Sequence, residues 1–353
     1  MKKIFALLMS AIILLSFVAC NKADGNNTDT LPPSSLETTE YTTTVPNPDT
    51  TDTTTTIPDT ETTTAVSDTQ DNTTETAENP AFDFEYEFTE DQQYALINKY
   101  IGKDKNVIIP SQIEGRTVTF LKGHVVDGDT LGVFQGTDIE TVVIPETVKA
   151  IGPRTFKDCT ALTCVTIQPN SKLQQISILA FENCTSLKVV NIENAEGLKT
   201  IGAKAFNNCT SIEKIKLPSN LEAIGVEAFT NCTALRSINI PTKLELMNFD
   251  GARFYNVTAL EEIIFDDGWQ SINGYVFFAI TSKVNIIIPK SVTSINVTLF
   301  VNTGEMNMFF SGDCPQITGS DKFMGNVIVH YDPSTSGWDS SQWASQYQLI
   351  PIT

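Results

Sequence analysis

Phenylalanine returns along this chain at a nearly constant step. It stands at 134, 156, 181, 206, 229, 254, 277, 300 and 323, with successive intervals of 22, 25, 25, 23, 25, 23, 23 and 23 residues. A sustained period in this range is the signature of a stacked-coil architecture. Each unit is too small to bury its own apolar face and is covered by the next. Few other features of a sequence restrict a fold so strongly.

Around each phenylalanine the units align. One unit reads Leu198, Ile201-Gly202, Ala205-Phe206, Cys209, Ile212, then Ile215-Lys216-Leu217-Pro218. The next reads Leu221, Ile224-Gly225, Ala228-Phe229, Cys232, Leu235, then Ile238-Asn239-Ile240-Pro241. Alternation in Ile215-Lys216-Leu217 and Ile238-Asn239-Ile240 predicts a short strand, and the proline that follows ends it. Gly225 turns the chain. Phe and Cys three residues apart fit one helical turn. Strands of successive coils are expected to form a parallel sheet at a spacing of about 4.8 Å.

The pattern resembles the BspA-type leucine-rich repeats of bacterial surface proteins. Matches are strong from about 142 to 240 and weaker through 241–330. There Val257, Ile280 and Thr303 take the cysteine place, and Lys283 and Met306 take the first leucine place. The resemblance implies a right-handed leucine-rich-repeat solenoid, mostly β with short helical turns, over 131–330. It also implies a role in adhesion or the binding of host proteins. An open solenoid end exposes core and needs a cap. The alternating Phe82, Phe84, Tyr86 and Phe88, with Tyr94–Ile101 and Val107–Pro110, assign strands of an N-terminal cap to 81–130. Residues 331–353, with Trp338, Trp343 and Tyr347, are expected to close the other end.

The first 20 residues read as an export signal. Lys2 and Lys3 precede an apolar run from Ile4 to Val18, too short for a comfortable membrane span. Phe17-Val18-Ala19-Cys20 resembles a bacterial lipobox, with Phe17 where Leu is usual. That resemblance implies a lipidated Cys20 and anchoring outside the cytoplasm through the lipid alone. Residues 21–80 are rich in Thr, Asp, Glu and Pro and have almost nothing to bury. They are expected to form a disordered tether of ~40–50 Å average span.

The net charge is −19. Residues 21–80 hold twelve Asp or Glu against one Lys, and the remaining acid excess is spread over 81–353. With no basic stripe to displace counterions, nucleic acid is an unsuitable partner. Nor do the residues assemble a catalytic constellation. The two histidines, His124 and His330, are far apart in sequence, and no nucleophile elbow or phosphate-binding loop is present. Glu261-Glu262 and Asp266-Asp267 fall on or after a repeat strand, where outward polar residues are expected. Asp127-Gly128-Asp129 is short of oxygen ligands for calcium and reads as a turn. The sequence therefore indicates no enzyme, no cofactor and no metal.

Cys159, Cys184, Cys209 and Cys232 hold one place in four coils. They are expected to form a column of reduced thiols packed as small apolar groups; a bridge within the column is the alternative. The triplets Asn183-Cys184-Thr185, Asn208-Cys209-Thr210 and Asn231-Cys232-Thr233 match a glycosylation sequon. We read them as repeat chemistry, with Asn and Thr satisfying turn backbone.

Strand alternation also predicts which side chains face outward. In order these are Val143, Thr166, Asn191, Lys216, Asn239, Ile264, Ile287, Phe310 and Ile328. The last four are apolar, and with Met308 beside Phe310 they suggest a greasy ridge for a partner. The alternatives are a C-terminal segment folded over them, or a one-residue slip that turns every side chain to the other face. The reading at this level is a monomeric, cell-surface-anchored binding module for an extracellular protein or glycan. A structural spacer of the cell envelope is the alternative.

Overall fold

The computed structural model describes residues 77–244, 253–273, 277–278, 282–296, 300–301, 304–319, 323 and 326–352. The expected signal segment, Cys20 and most of the tether lie outside the described residues. Those described build a β-solenoid, as the period requires. Among them the only α-helix is the short Gln342–Gln346, and none is long and apolar enough to cross a membrane.

Each repeat coil has a front strand, a back strand and a closing turn. The front strands Asn106–Ile108, Thr141–Ile144, Cys164–Ile167 and Val189–Val190 form one parallel sheet. A second begins at Lys214–Ile215. It continues through Ser237–Ile240, Glu262–Phe265, Val284–Ile288, Glu305–Phe310 and Asn326–Tyr331 to Gln348–Pro351. On the back, Ala150–Ile151, Gln175–Ile176, Thr200–Ile201 and Ala223–Ile224 pair in parallel. That back sheet reaches into the N-terminal region. Phe84–Phe88 pairs antiparallel with Tyr94–Tyr100, which pairs parallel with Arg116–Leu121, and this strand pairs parallel with Ala150–Ile151. The coil stacking therefore begins at Tyr94–Tyr100, and the antiparallel Phe84–Phe88 covers its outer edge.

The phenylalanines are the spine of the core. Rings 134, 156, 181, 206, 229 and 254 are fully buried and stack nearly parallel, with centroids 4.9–5.2 Å apart. Each such contact adds about 0.5–1.5 kcal/mol beyond simple burial. The Phe-to-Cys step is a tight turn rather than the helical turn expected. The Cys159 N–H bonds the Phe156 carbonyl three residues back, and Asp158 between them takes φ +61°. The same left-handed position recurs at Asn183, Asn208, Asn231 and Asn256. Asn and Asp tolerate that conformation better than most residues, which explains their place beside the cysteine.

At the C-terminal end Trp338 and Trp343 are buried against Phe310, with centroids at 5.1 and 5.2 Å. Ser341 caps the short helix by accepting from the Ala344 N–H.

Candidate functional site

The outward face of the front sheets carries two rows of side chains running along the solenoid axis. Cross-strand register defines them. One runs Lys214, Ser237, Glu262, Asn285, Asn307, Ile328 and Gln348. The other continues from Asn239 through Ile264, Ile287, Phe309 and His330 to Ile350. From Ile264 to Ile350 this second row is apolar apart from His330, and every member is half-buried.

Several sequence-based placements hold, and four change. Ile264 and Ile287 face outward in adjacent coils. Met308 and Phe310 do not: both are buried in the core, Phe310 beneath the two tryptophans. Ile328 faces outward, but in the other row, opposite Asn307. The reason is the shrinking of the last coils. Ile287 pairs Phe309 at a step of 22, Phe309 pairs His330 at 21, and His330 pairs Ile350 at 20. Carrying the earlier step of 23 forward overshoots by one residue, which changes face. The missing signal was the polar Asn307 between Met306 and Met308, whose parity makes Phe309 outward. His330 and Ile350 were overlooked for the same reason. Thr166, also expected outward, is buried.

His330 lies flat against Phe309, with centroids 4.4 Å apart and planes 8° from parallel, and its Nε2 is 3.3 Å from Asn307 Oδ1. Burial, and then the Lys283 charge, hold its pKa below the ordinary imidazole value. The neutral ring therefore completes the row at neutral pH. Lys283 pairs with Glu305 at 2.6 Å along the side of the row.

Towards the middle of the molecule the row meets a groove of about 1170 Å3, where the two front sheets fail to join. Lys188, Lys214, Lys216, Asn239, Ile264 and Asp266 are among its lining residues. Asp266 accepts from Asn239 Nδ2 at 3.1 Å, and burial raises its carboxyl pKa.

The remaining candidates resolve into structure. Cys159, Cys184, Cys209 and Cys232 are unbridged and buried, and each thiol donates to a phenylalanine carbonyl of the coil before, at 2.9–3.2 Å. The sequon asparagines form a side-chain ladder. Asn183 donates to Asp158 at 2.7 Å, Asn208 to Asn183 at 3.0 Å and Asn256 to Asn231 at 2.9 Å. Asp127 and Gly128, at φ +50° and +88°, make the tight turn of the hairpin His124–Val126 with Asp129–Leu131. Glu261 pairs with Arg236 across coils, and Glu262 accepts from Ser237.

A family profile described as BspA type leucine rich repeat region matches residues 131–249 and 248–326 in six copies, just over half of the chain. Among solved structures, the chain is similar to a leucine-rich repeat protein of T. pallidum. Identity is 29%, covering 54% of this chain and 86% of that one, with a TM-score of 0.43. A leucine-rich repeat protein of Bacteroides ovatus matches at 19% identity over 76% of this chain and 75% of that one, TM-score 0.44. A leucine rich cell surface protein of Faecalibacterium prausnitzii matches at 24% identity over 67% and 75%, TM-score 0.39. No curated protein matches the chain.

Proposed function

This chain belongs to the BspA-type leucine-rich-repeat family, and on that footing we propose that it is a cell-surface binding module, holding an extracellular protein or glycan partner by its front sheet. The observation that carries this reading is the outward row Ile264, Ile287, Phe309, His330 and Ile350. Five adjacent coils spend their solvent-facing sheet position on large, mostly apolar side chains, where the earlier coils place Lys216 and Asn239. A continuous apolar strip on a water-facing sheet is unfavourable unless something covers it part of the time. The strands that carry the row are hydrogen-bonded to one another along its length, which lowers the ordering cost on binding. Anchoring through Cys20 and a spacer role for 21–80 complete the proposal.

The test uses the full chain immobilised on a surface and challenged with extracellular matrix proteins and glycans. It is compared with Ile287→Asp/Phe309→Asp, shown by circular dichroism to remain folded. Loss of at least one specific partner in the variant is expected. Equal retention by both proteins moves the site off this row, and no retention by either favours the envelope-spacer reading. Phe310→Asp is the contrasting variant. It buries a charge under Trp338 and Trp343 and is expected to unfold the C-terminal end rather than test the surface.

A further inference from the structure

The rings of the outward row turn their edges, not their faces, to the solvent. Phe309 and His330 hold paired positions on neighbouring strands, with ring centres 4.4 Å apart and planes 8° from parallel. Each ring therefore covers one face of the other, and the stack runs along the row. Ile287 and Ile350 hold the next paired positions on either side. What the row presents outward is methyl groups and ring edges. A sugar packs its C–H groups on the negative face of an aromatic ring, and the edge carries the opposite sign. The row is poorly made for a glycan and well made for the apolar side chains of a protein.

The step of the row selects the shape of that protein. Paired positions on neighbouring strands recur at about 4.8 Å, so the steps from Ile264 to Ile350 span about 19 Å. Alternate side chains of an extended partner recur at about 6.6–7 Å and fall out of step within two coils. A helix rises about 5.4 Å per turn and offers about one stripe residue per turn, a drift of only ~0.6 Å per coil. About 13 helical residues span the row. The strands beneath are bonded to one another, which leaves an extended partner no main chain to pair with on this face.

The borders of the row set the charge. On one side the paired outward positions are Glu262, Asn285, Asn307, Ile328 and Gln348. On the other, two residues beyond Ile264, Ile287, Phe309 and His330, stand Asp266, Pro289, Ser311 and Asp332. Asp266, Ser311 and Asp332 continue the ladder, each donating its N–H to a carbonyl of the coil before at 3.1–3.3 Å. These borders hold three carboxylates, Glu262, Asp266 and Asp332, and no lysine or arginine. The nearest bases do not offset them. Lys283 pairs with Glu305, Lys290 is outnumbered by Asp267 and Asp313 at the same ends of the strands, and Lys216 lies two coils before Ile264.

On the footing that the row is a binding surface, we propose that it seats an amphipathic helix of a partner protein, with an apolar stripe bordered by lysine or arginine. A second copy of this chain offers no such element: among the described residues its one α-helix is the five-residue Gln342–Gln346. The borders that attract a basic helix repel an anionic lipid surface.

The full chain is titrated with a labelled peptide of about 14 residues, with leucines along one helical stripe and lysines beside it, followed by fluorescence polarisation. One control has the same composition with its leucines moved to alternate positions; another has glutamate for lysine. The helical basic peptide is expected to bind at least about tenfold more tightly than either control, and to gain helical circular dichroism on binding. The first control carries the same charge, so general attraction to an acidic chain is accounted for. Ile287→Asp/Phe309→Asp is expected to lose the binding although it adds negative charge. Asp266→Asn/Asp332→Asn, which keeps a hydrogen-bond acceptor at both positions, is expected to weaken it about fivefold. Equal binding of a control, or unchanged binding in either variant, overturns the proposal. So does capture of a glycan, or of vesicles containing phosphatidylglycerol, that the row variant loses. If a matrix protein depends on the row yet is not displaced by the peptide, the helix is overturned and the row stands as a binding surface. If nothing depends on the row, both are overturned.

Discussion

The asparagine of each Asn-Cys-Thr triplet does two things at once. It takes the left-handed backbone position of the turn, and its side chain bonds the equivalent residue one coil away. The two contributions separate by mutation. Asn208→Gly keeps the backbone conformation and loses the ladder bond, a cost of about 0.5–1.5 kcal/mol. Asn208→Ala loses both and costs a further ~1 kcal/mol or more from the left-handed strain. Urea denaturation of the two variants is expected to rank them in that order. The neighbouring thiols make a second residue-scale prediction. Burial raises their pKa from 9.0 to about 11 for Cys159 and about 12 for Cys232. Between pH 9 and about 11 an unfolded thiol ionises while folded Cys159 keeps its proton, so this contribution to stability is complete below pH 9 and declines as pH rises through that window. Melting temperature is expected to fall there. Alkylation at mildly alkaline pH is expected to modify the half-buried Cys314 well before the column, as read by mass spectrometry after digestion.

At the scale of the element, a front strand of this solenoid needs its neighbour's backbone, and an asparagine side chain can stand in for it. Asn191 does so for Ile167, and Asn239 makes the same pair of bonds to Leu217, at 2.7 and 3.0 Å. Asn239 also keeps its place in a strand; Asn191 does not, and only there does the front sheet divide. Asn191→Ala is expected to cost about 1–3 kcal/mol by leaving the Ile167 N–H without a partner, its carbonyl keeping the Asn194 amide at 3.3 Å, and to speed exchange at the Ile167 amide selectively. The row of the second sheet carries its own titration. His330 is depressed below 6.5, so its contribution to stability is present above that value and is lost as pH falls through the folded pKa. The groups beside it are Phe309, Asn307 and Ile350 on the strands packed against it, with the Lys283–Glu305 pair to one side. None of these is a free carboxylate that could hold a proton on the ring. Partner binding through the row is expected to weaken on acidification below pH 6.5, and His330→Phe to remove that dependence in a binding titration across pH.

For the whole molecule, the difficulty of a solenoid is its ends. The antiparallel strand Phe84–Phe88 covers one, with Glu85 and Glu87 exposed along it. Trp338 and Trp343 cover the core at the other. Among the described residues Gln348–Pro351 is the edge strand of its sheet. The Ile352 N–H turns inward to the Tyr331 carbonyl, so by alternation Pro351 lies at an outward position, where it has no N–H to offer another chain. Trp343, whose Nε1 donates to the Pro315 carbonyl at 2.7 Å, ties the cap to the coil below. Trp343→Ala is expected to cost about 3–5 kcal/mol and to promote aggregation, measured by thermal denaturation and light scattering.

The period of phenylalanine, the parity of Ile215-Lys216-Leu217 and the recurrent Ala-Phe-x-x-Cys were sufficient in the sequence to determine a stacked-coil fold, most of its core and the column of cysteines, while the structure decided between free thiols and a bridge in that column. These are local patterns repeated many times, and each repetition buries the previous one, so the period and the packing carry the same information. The sequence also placed Ile264 and Ile287 outward. What only the tertiary structure decided were the features at which the repeat departs from itself. The shortening of the last coils moved the row from Phe310 to Phe309 and brought in His330 and Ile350, because pairing register depends on loop geometry and a single residue of difference exchanges the two faces. The division of the front sheet after Asn191 was likewise invisible, since it goes with the backbone there leaving the strand for a 3-10 turn, whereas Asn239 with the same side-chain bonds stays in its strand. The candidate row lies at the first of these departures, where cross-coil geometry rather than local pattern sets what faces the solvent.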